Sequence, residues 1–234
     1  MKKGYFITGT DTGVGKTFVA SLIAAEVRER GLKAGVMKPV ETGCKKKGGS
    51  LIPADALRLK KAARSDDPIG IINPYRFAAA LAPSVAARNT RAKIGFNRIK
   101  ECLETLSGRN DVMIVEGAGG LLTPLTEDRT ILDLILFLRL PAIIVAASRL
   151  GCINSTLLTY GYAVSSGVTV AGVILNNPDG YRDESSRSNR GEIERLGVPL
   201  KEELPFLKQG ERDKRLRGIA GSMLFKPGHG ILCS

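Results

Sequence analysis

The chain has 234 residues, of which 43% are hydrophobic and 25% are charged; this is ordinary globular composition and excludes a disordered or fibrous protein. The length suits one sizeable α/β core and no Pro/Gly/Ser-rich linker interrupts it, so we expect residues 1–234 to form a single domain. The formal net charge of +12 is compatible with nucleic acid, with anionic small molecules or with a solvated surface.

Short apolar runs rich in β-branched residues recur along the chain, as is typical of buried parallel strands. They cover residues 5–8, 34–37, 112–115, 142–147 and 170–175. Helical stripes lie between them, including one at 18–27 that stops before Gly31 and one at 96–106 that stops before Gly108. This alternation predicts a doubly wound, mostly parallel sheet flanked by helices, with ligands beyond the carboxyl ends of the strands.

Histidine and cysteine chemistry is disfavoured by the composition. The only histidine, His229, lies in a Gly-rich tail, and the four cysteines form no CxxC pair, so no catalytic relay, zinc site or disulfide framework is indicated.

The longest apolar stretches, 131–138 and 140–147, are separated by Arg139 and are each too short to cross a bilayer. The N-terminus lacks the apolar core of a signal peptide. We therefore expect a cytoplasmic protein without a membrane partner.

A glycine-rich loop follows the first predicted strand and precedes the first predicted helix. Residues 9–17 read Gly-Thr-Asp-Thr-Gly-Val-Gly-Lys-Thr. Backbone N–H groups of such a loop converge on phosphate oxygens, and the following helix N-terminus adds a favourable dipole. We expect Lys16 to reach the β- and γ-phosphates of ATP and the Thr17 hydroxyl to bind Mg²⁺. Thr10 replaces the first glycine of the general pattern, and a chance glycine-rich turn is the alternative, but the order of elements favours a P-loop NTPase fold.

Polar side chains that could complete this site stand at the ends of other predicted strands or at a helix start. Lys38 is either a second cation on the γ-phosphate or a solvated surface lysine, and its flanking Pro and Gly favour the former. Glu116 stands where a carboxylate would hold the nucleotide's Mg²⁺. Asp55 is equally well a second acid or a helix cap. The amides of Asn176 and Asn177 suit either a base edge or a turn.

The ordered motifs resemble the dethiobiotin synthetase family over nearly the whole chain. Besides the loop, the matching segments are Lys-Pro-Val-x-[Ser/Thr]-Gly at 38–43, Asp55, Val-Glu-Gly-Ala-Gly-Gly at 115–120, Leu-Gly-Cys-Ile-Asn at 150–154, Ala-Gly-x-x-x-Asn at 171–176 and Pro-x-Leu at 205–207. A phosphate loop alone is shared by many NTPases, whereas this series is specific. Ala80, Ser84 and Ser155 depart from residues common in the family, which bears on pocket shape or on the subunit interface.

The resemblance implies an ATP- and Mg²⁺-dependent cyclo-ligase of biotin biosynthesis, which converts 7,8-diaminopelargonate and CO₂ into dethiobiotin with release of ADP and phosphate. One amine captures CO₂ as a carbamate, ATP phosphorylates the carbamate to a carbamic-phosphoric anhydride, and the second amine closes the ring. The resemblance also implies a homodimer with the active site at the interface.

The resemblance also assigns roles to individual residues. Lys16 and Lys38 would be catalytic, and Thr17, Asp55 and Glu116 would bind the metal. The expected ATP-binding residues are Gly13, Val14, Gly15, Lys16, Thr17, Phe18, Asp55, Glu116, Gly117, Ala118, Gly119, Asn176, Asn177, Pro205, Phe206 and Leu207. The expected substrate-binding residues are Thr12, Thr42, Gly151, Cys152 and Asn154.

Two other functions are open to a chain with this loop. A chromosome-partitioning ATPase would share the topology class and bind DNA through a basic face. However, the basic runs, including Lys45–Lys47 in an expected loop, lack interleaved aromatic residues. A cobyrinate-amidating ligase would need a glutamine amidotransferase domain, for which the chain has neither room nor residues. We therefore expect small-molecule substrates and no nucleic acid.

Overall fold

The computed structural model describes residues 3–180 and 184–206. The strands are β1 (Lys3–Gly9), β2 (Ala34–Met37), β3 (Val40–Glu41), β4 (Lys45–Lys47), β5 (Ser50–Ile52), β6 (Tyr75–Arg76), β7 (Val112–Glu116), β8 (Ala142–Ala147), β9 (Val170–Asn176) and β10 (Leu200–Leu204). The helices are α1 (Lys16–Glu29), α2 (Ala54–Ala62), α3 (Ile69–Ile72), α4 (Pro83–Asn89), α5 (Phe96–Arg109), α6 (Ile131–Leu138), α7 (Cys152–Ser165) and α8 (Glu184–Arg195).

Six strands form one sheet in the order β10-β9-β8-β1-β7-β2, and each neighbouring pair is parallel. The predicted doubly wound α/β fold is therefore confirmed. The crossover after β1 leads towards β2, whereas the crossover after β8 leads the opposite way, towards β9. The carboxyl ends of β1 and β8 thus flank the point where the winding direction changes, and ligands of such sheets bind at this point.

The central strands are buried because helices cover both faces of a parallel sheet. Every residue of β2, β7 and β8 is buried. The helix that follows the phosphate loop, α1, contributes Val19, Ile23 and Val27, which have no exposed surface. It ends at Glu29, and Gly31 adopts φ 78°, a left-handed conformation that glycine accepts without a Cβ clash. Within residues 3–180 and 184–206, no helix has the length and apolarity needed to span a membrane.

Two local predictions are wrong. Lys45–Lys47, expected to be a loop, is strand β4 and pairs antiparallel with β5. The turn between them is Gly48-Gly49, with φ of 55° and 78°, the left-handed pair that closes a two-residue hairpin. Gly108 does not stop α5, which continues to Arg109, because an exposed glycine in a last turn costs only about 1 kcal/mol.

Candidate nucleotide-binding active site

Most of the predicted site residues lie along the carboxyl edge of the sheet. Strand register aligns Ile7 of β1 with Glu116 of β7, and Ala147 of β8 with Asn176 of β9. The phosphate loop leaves β1 at this edge, and Lys38 directly follows β2. Residues far apart in sequence therefore meet beside the loop, as the fold class predicts.

The phosphate loop turns directly into α1. Gly15 precedes the helix with φ 95°, a conformation that side chains disfavour. A Cβ at this position would also collide with the amide nitrogen of Asn176. That nitrogen donates a hydrogen bond of 2.8 Å to the Val14 carbonyl. Asn176, which is buried, therefore ties the end of β9 to the loop, and its expected contact with adenine stays a prediction.

Lys16 lies at the start of α1 with only 7% of its surface exposed. Its Nζ donates to the Asp11 carbonyl at 2.7 Å. Burial, and then the neighbouring positive charge of Lys38, lower the pKa of Lys16 to about 8, against the opposing attraction of Glu116, Asp11 and Asp55. An anion beside Nζ would favour the charged form again, since opposite charges raise a lysine pKa. The electrostatics of this position thus suit a phosphate group.

A cluster of one cation and two acids adjoins the loop; Lys38 and Glu116 are buried, whereas the Asp55 side chain is 38% exposed. Lys38 Nζ donates to Glu116 Oε1 at 2.6 Å and to the Gly117 carbonyl at 2.9 Å. The same Oε1 accepts the Thr17 hydroxyl at 2.8 Å. Asp55 Oδ2 lies 3.9 Å from Lys38 Nζ. Lys38 is 4% exposed and is not the solvated surface residue of the alternative interpretation.

The donor set of this cluster fits Mg²⁺ bound together with nucleotide phosphates. Glu116 is 1% exposed, and its second oxygen, Oε2, is buried without a hydrogen-bond partner. A buried carboxylate oxygen without a partner is costly, and a cation would satisfy it. In the part of the chain that the structure describes, no three His, Cys, Asp or Glu side chains form a metal-binding group. Mg²⁺ does not require such a group, since one or two carboxylates, phosphate oxygens and water suffice.

The loop after β7 packs against the phosphate loop. A Cβ on Gly117 would lie 2.9 Å from the Phe6 ring, and one on Gly120 would lie 3.4 Å from the Gly9 and Thr10 carbonyls. Gly119 has φ 68°, and Ala118 is partly buried against the core. Gly117 thus lets the chain pass close to the Phe6 ring of β1, whereas Gly120 is the residue of this loop that faces the phosphate loop.

The expected adenine-binding segments lie at the ends of β9 and β10. The Asn177 N–H donates to the Leu204 carbonyl at 3.1 Å, which joins the two strand ends. Pro205 and Phe206 follow directly and are half-buried. Phe18, on the first turn of α1, packs partly buried against the core. Leu207 lies outside the described residues.

The expected substrate-binding residues form two groups. Thr12 is exposed on the phosphate loop, and Thr42 is half-buried after β3. Gly151 caps the N-terminus of α7 with φ 88°, and Asn154 is exposed on its first turn. Cys152 is buried, burial raises the pKa of its thiol, and its backbone N–H donates to the Arg149 carbonyl at 3.0 Å, so its expected contact with substrate stays a prediction. No described hydrogen bond or ion pair links the α7 group to the Lys38 cluster.

Two buried residues beside the site had no signal in the sequence analysis. The Glu41 carboxylate accepts hydrogen bonds from the backbone N–H groups of Asp55 and Ala56, at 2.9 and 3.0 Å. Burial raises the pKa of Glu41, although these two hydrogen bonds oppose that effect. Asn73 donates to the Lys38 carbonyl at 2.6 Å. A tertiary contact of this kind joins distant segments, so no local spacing reveals it.

Comparison with known proteins identifies the family to which the chain belongs. Residues 3–208 match the family model described as an AAA domain. The chain is 38% identical to the ATP-dependent dethiobiotin synthetase BioD of Thermodesulfovibrio yellowstonii, over 92% of this chain and 93% of that one. It is 39% identical to BioD of Anaeromyxobacter sp. strain Fw109-5, over 95% and 100%. The chain belongs to the dethiobiotin synthetase family.

A relative in this family from Methanocaldococcus jannaschii is 41% identical over 73% of this chain and 78% of its own length. Among solved structures, a ParA family ATPase from Chlorobium tepidum superposes with a TM-score of 0.55 at 17% identity, covering 99% of this chain and 92% of that one. That identity is low, so the superposition supports the fold alone.

Proposed function

We propose that the protein makes dethiobiotin from 7,8-diaminopelargonate and CO₂ at the expense of ATP, with ADP and phosphate as the other products. The observation that carries this proposal is the buried pair of Lys38 and Glu116 beside a phosphate loop whose Lys16 is also buried. Two desolvated lysines and a carboxylate at one phosphate site suit phosphoryl transfer to an anionic acceptor. The names of the relatives support the choice of acceptor.

The phosphate loop would bind ATP, with Lys16 beside the β- and γ-phosphates. Thr17, Glu116 and Asp55 would hold Mg²⁺, which neutralises negative charge on the phosphates when bound. The unpartnered Oε2 of Glu116 supports this role. The adenine end would lie near Asn176, Asn177 and the segment after β10.

The chemistry needs no protein nucleophile. One substrate amine adds to CO₂ and loses a proton, which gives a carbamate. A carbamate oxygen attacks the γ-phosphorus, and the bond to ADP breaks. The second amine then attacks the carbonyl carbon and loses a proton, and phosphate leaves as the ring closes. Lys38 would stabilise the negative charge on the carbamate and on the phosphoryl group in transfer, and binding would align the reacting atoms.

We also propose that two copies of the chain pair through α7. Leu158 and Tyr162, four residues apart on one helical face, are 65% and 49% exposed, and Leu150, just before the helix, is 80% exposed. Large exposed apolar groups that cluster on one face mark interaction sites. The exposed Asn154 precedes Leu158 by one helical turn, so this face also carries an expected substrate-binding residue. A second copy would cover it and complete a site for the substrate carboxylate.

The test is the substrate dependence of phosphate release. With Mg²⁺ and ATP, release should require both diaminopelargonate and bicarbonate as the source of CO₂, and should not respond to DNA. ATP hydrolysis that DNA stimulates and diaminopelargonate does not would instead support the chromosome-partitioning alternative, which the fold and the basic charge allow.

A further inference from the structure

The Glu41 carboxylate occupies the N-terminus of α2 although it belongs to a different segment of the chain. Its two oxygens accept the N–H groups of Asp55 and Ala56, the second and third residues of the helix. These are the N–H groups that an N-cap side chain normally binds. The residue at the cap position itself, Pro53, provides no side-chain hydrogen bond. Glu41 therefore caps α2 from a distance, and its negative charge faces the positive end of the helix dipole.

The segment that carries Glu41 is fixed to the segment that carries Lys38. Both lie within residues 38–41, and β3 pairs with β6 through Glu41 and Arg76. The Phe77 N–H donates to the Glu41 carbonyl at 2.8 Å, and Asn73 holds the Lys38 carbonyl at 2.6 Å. Glu41 is 5% exposed, so its position is set by packing as well as by these hydrogen bonds.

The first turn of α2 carries Asp55, whose carboxylate lies 3.9 Å from Lys38 Nζ and is 38% exposed. No side-chain hydrogen bond of Asp55 is described. Its backbone N–H donates to Glu41 at 2.9 Å, and this bond ties the start of α2 to the segment that carries Lys38. We propose that Glu41 is a positioning residue, which holds Asp55 at the phosphate site so that its carboxylate can serve Mg²⁺ bound with ATP. This inference rests on the proposed metal role of Asp55.

The alternative is that Glu41 only stabilises the fold. The two roles differ in what they do to ATP binding, because positioning of Asp55 affects only the part of the affinity that depends on Mg²⁺. Glu26 provides a matched control: it is also buried, at 7% exposed, but it pairs with Arg30 near the far end of α1. Glu41→Gln and Glu26→Gln make the same chemical change in the two places.

The experiment measures ATP affinity by calorimetry with Mg²⁺ and with a chelator, and needs no turnover. Glu41→Gln should reduce the Mg²⁺-dependent gain in affinity about tenfold, the scale for groups that orient metal ligands, and leave binding in chelator unchanged. Asp55→Asn should show the same loss, and the double variant no further loss, because Glu41 acts through Asp55. Glu26→Gln should change neither affinity.

A rescue variant separates positioning from stability. Pro53→Asp in the Glu41→Gln background supplies a carboxylate at the cap position of α2, and should restore both folding and most of the Mg²⁺-dependent gain. Equal weakening of ATP binding with and without Mg²⁺, additive effects of the Glu41 and Asp55 variants, or unfolding of both Glu41 variants would overturn the proposal. Failure of the protein to form dethiobiotin would refute the proposed reaction and would leave this ATP-binding result standing.

Discussion

The Lys38–Glu116 ion pair allows a quantitative prediction, because both partners are almost fully buried, with side chains 5% and 1% exposed. Lys38→Met removes the cation and leaves the Glu116 carboxylate with the Thr17 hydroxyl as its described donor. Removing one partner of a buried pair costs about 3–5 kcal/mol, since an uncompensated charge stays in the interior. For a domain of this size, each kcal/mol lowers Tm by roughly 2–4 °C, so we expect a loss of about 6–20 °C.

A second substitution tests the cause of this loss. Glu116→Gln in the Lys38→Met background removes the stranded charge, and the double variant should recover most of the lost stability. The matched control is the exposed pair of Arg64 and Glu29, which has the same N–O distance of 2.6 Å but side chains 63% and 39% exposed. Arg64→Met should cost less than about 1 kcal/mol.

The assay is thermal and urea unfolding, without nucleotide, of four variants: Lys38→Met, Glu116→Gln, the double variant and Arg64→Met. A loss of unfolding free energy below about 1 kcal/mol in Lys38→Met, or no coupling between the Lys38 and Glu116 substitutions, would show that the pair is not desolvated and would refute this prediction.

In Lys38→Met, ATP affinity should stay within a few-fold of the parent, while dethiobiotin formation falls by roughly 10²–10³-fold, the scale for loss of one group that stabilises transition-state charge.

Three further predictions follow from the described contacts. Lys16, with a pKa near 8 in the free protein, must be protonated to meet a phosphate, so ATP affinity should fall about tenfold per pH unit above pH 8, and calorimetry should show no such slope for Lys16→Met. Gly15→Ala adds a Cβ that collides with a neighbouring amide and should lower turnover about 10²-fold, whereas Gly13→Ala, with φ 78° and open space around it, bears backbone strain alone and should lose less. Leu158→Glu/Tyr162→Glu should yield a folded monomer in light scattering, and an unchanged dimer would show that α7 is not the interface.

The main sheet was predictable because its strands are buried on both faces and read as continuous apolar runs. The predicted bounds 34–37 and 142–147 match β2 and β8. The edge strand β10 was missed, since its sequence, Leu-Lys-Glu-Glu-Leu, lacks the apolar run of an internal strand. β4 was missed because three exposed lysines resemble a loop until the glycine turn brings β5 beside them.

The positions of the candidate site residues were predictable where the residue stands at the end of a strand. Lys38 and Glu116 each follow a recognisable strand, and the fold brings them to 2.6 Å from each other. For Asp55 the sequence left two interpretations open, a ligand or a cap. In the structure its backbone N–H is capped by Glu41, and its carboxylate lies near Lys38. The role of Glu41 depends on a contact between segments 14 residues apart, which periodicity does not encode.

The most direct test of the proposed function is mass spectrometry of the product made with ¹³C-bicarbonate, diaminopelargonate, ATP and Mg²⁺. We predict dethiobiotin that carries one ¹³C in its ureido ring, formed in equal amounts with ADP and phosphate, and roughly 10²–10³-fold slower product formation by Lys38→Met. A folded, ATP-binding protein that yields no labelled dethiobiotin would contradict this prediction.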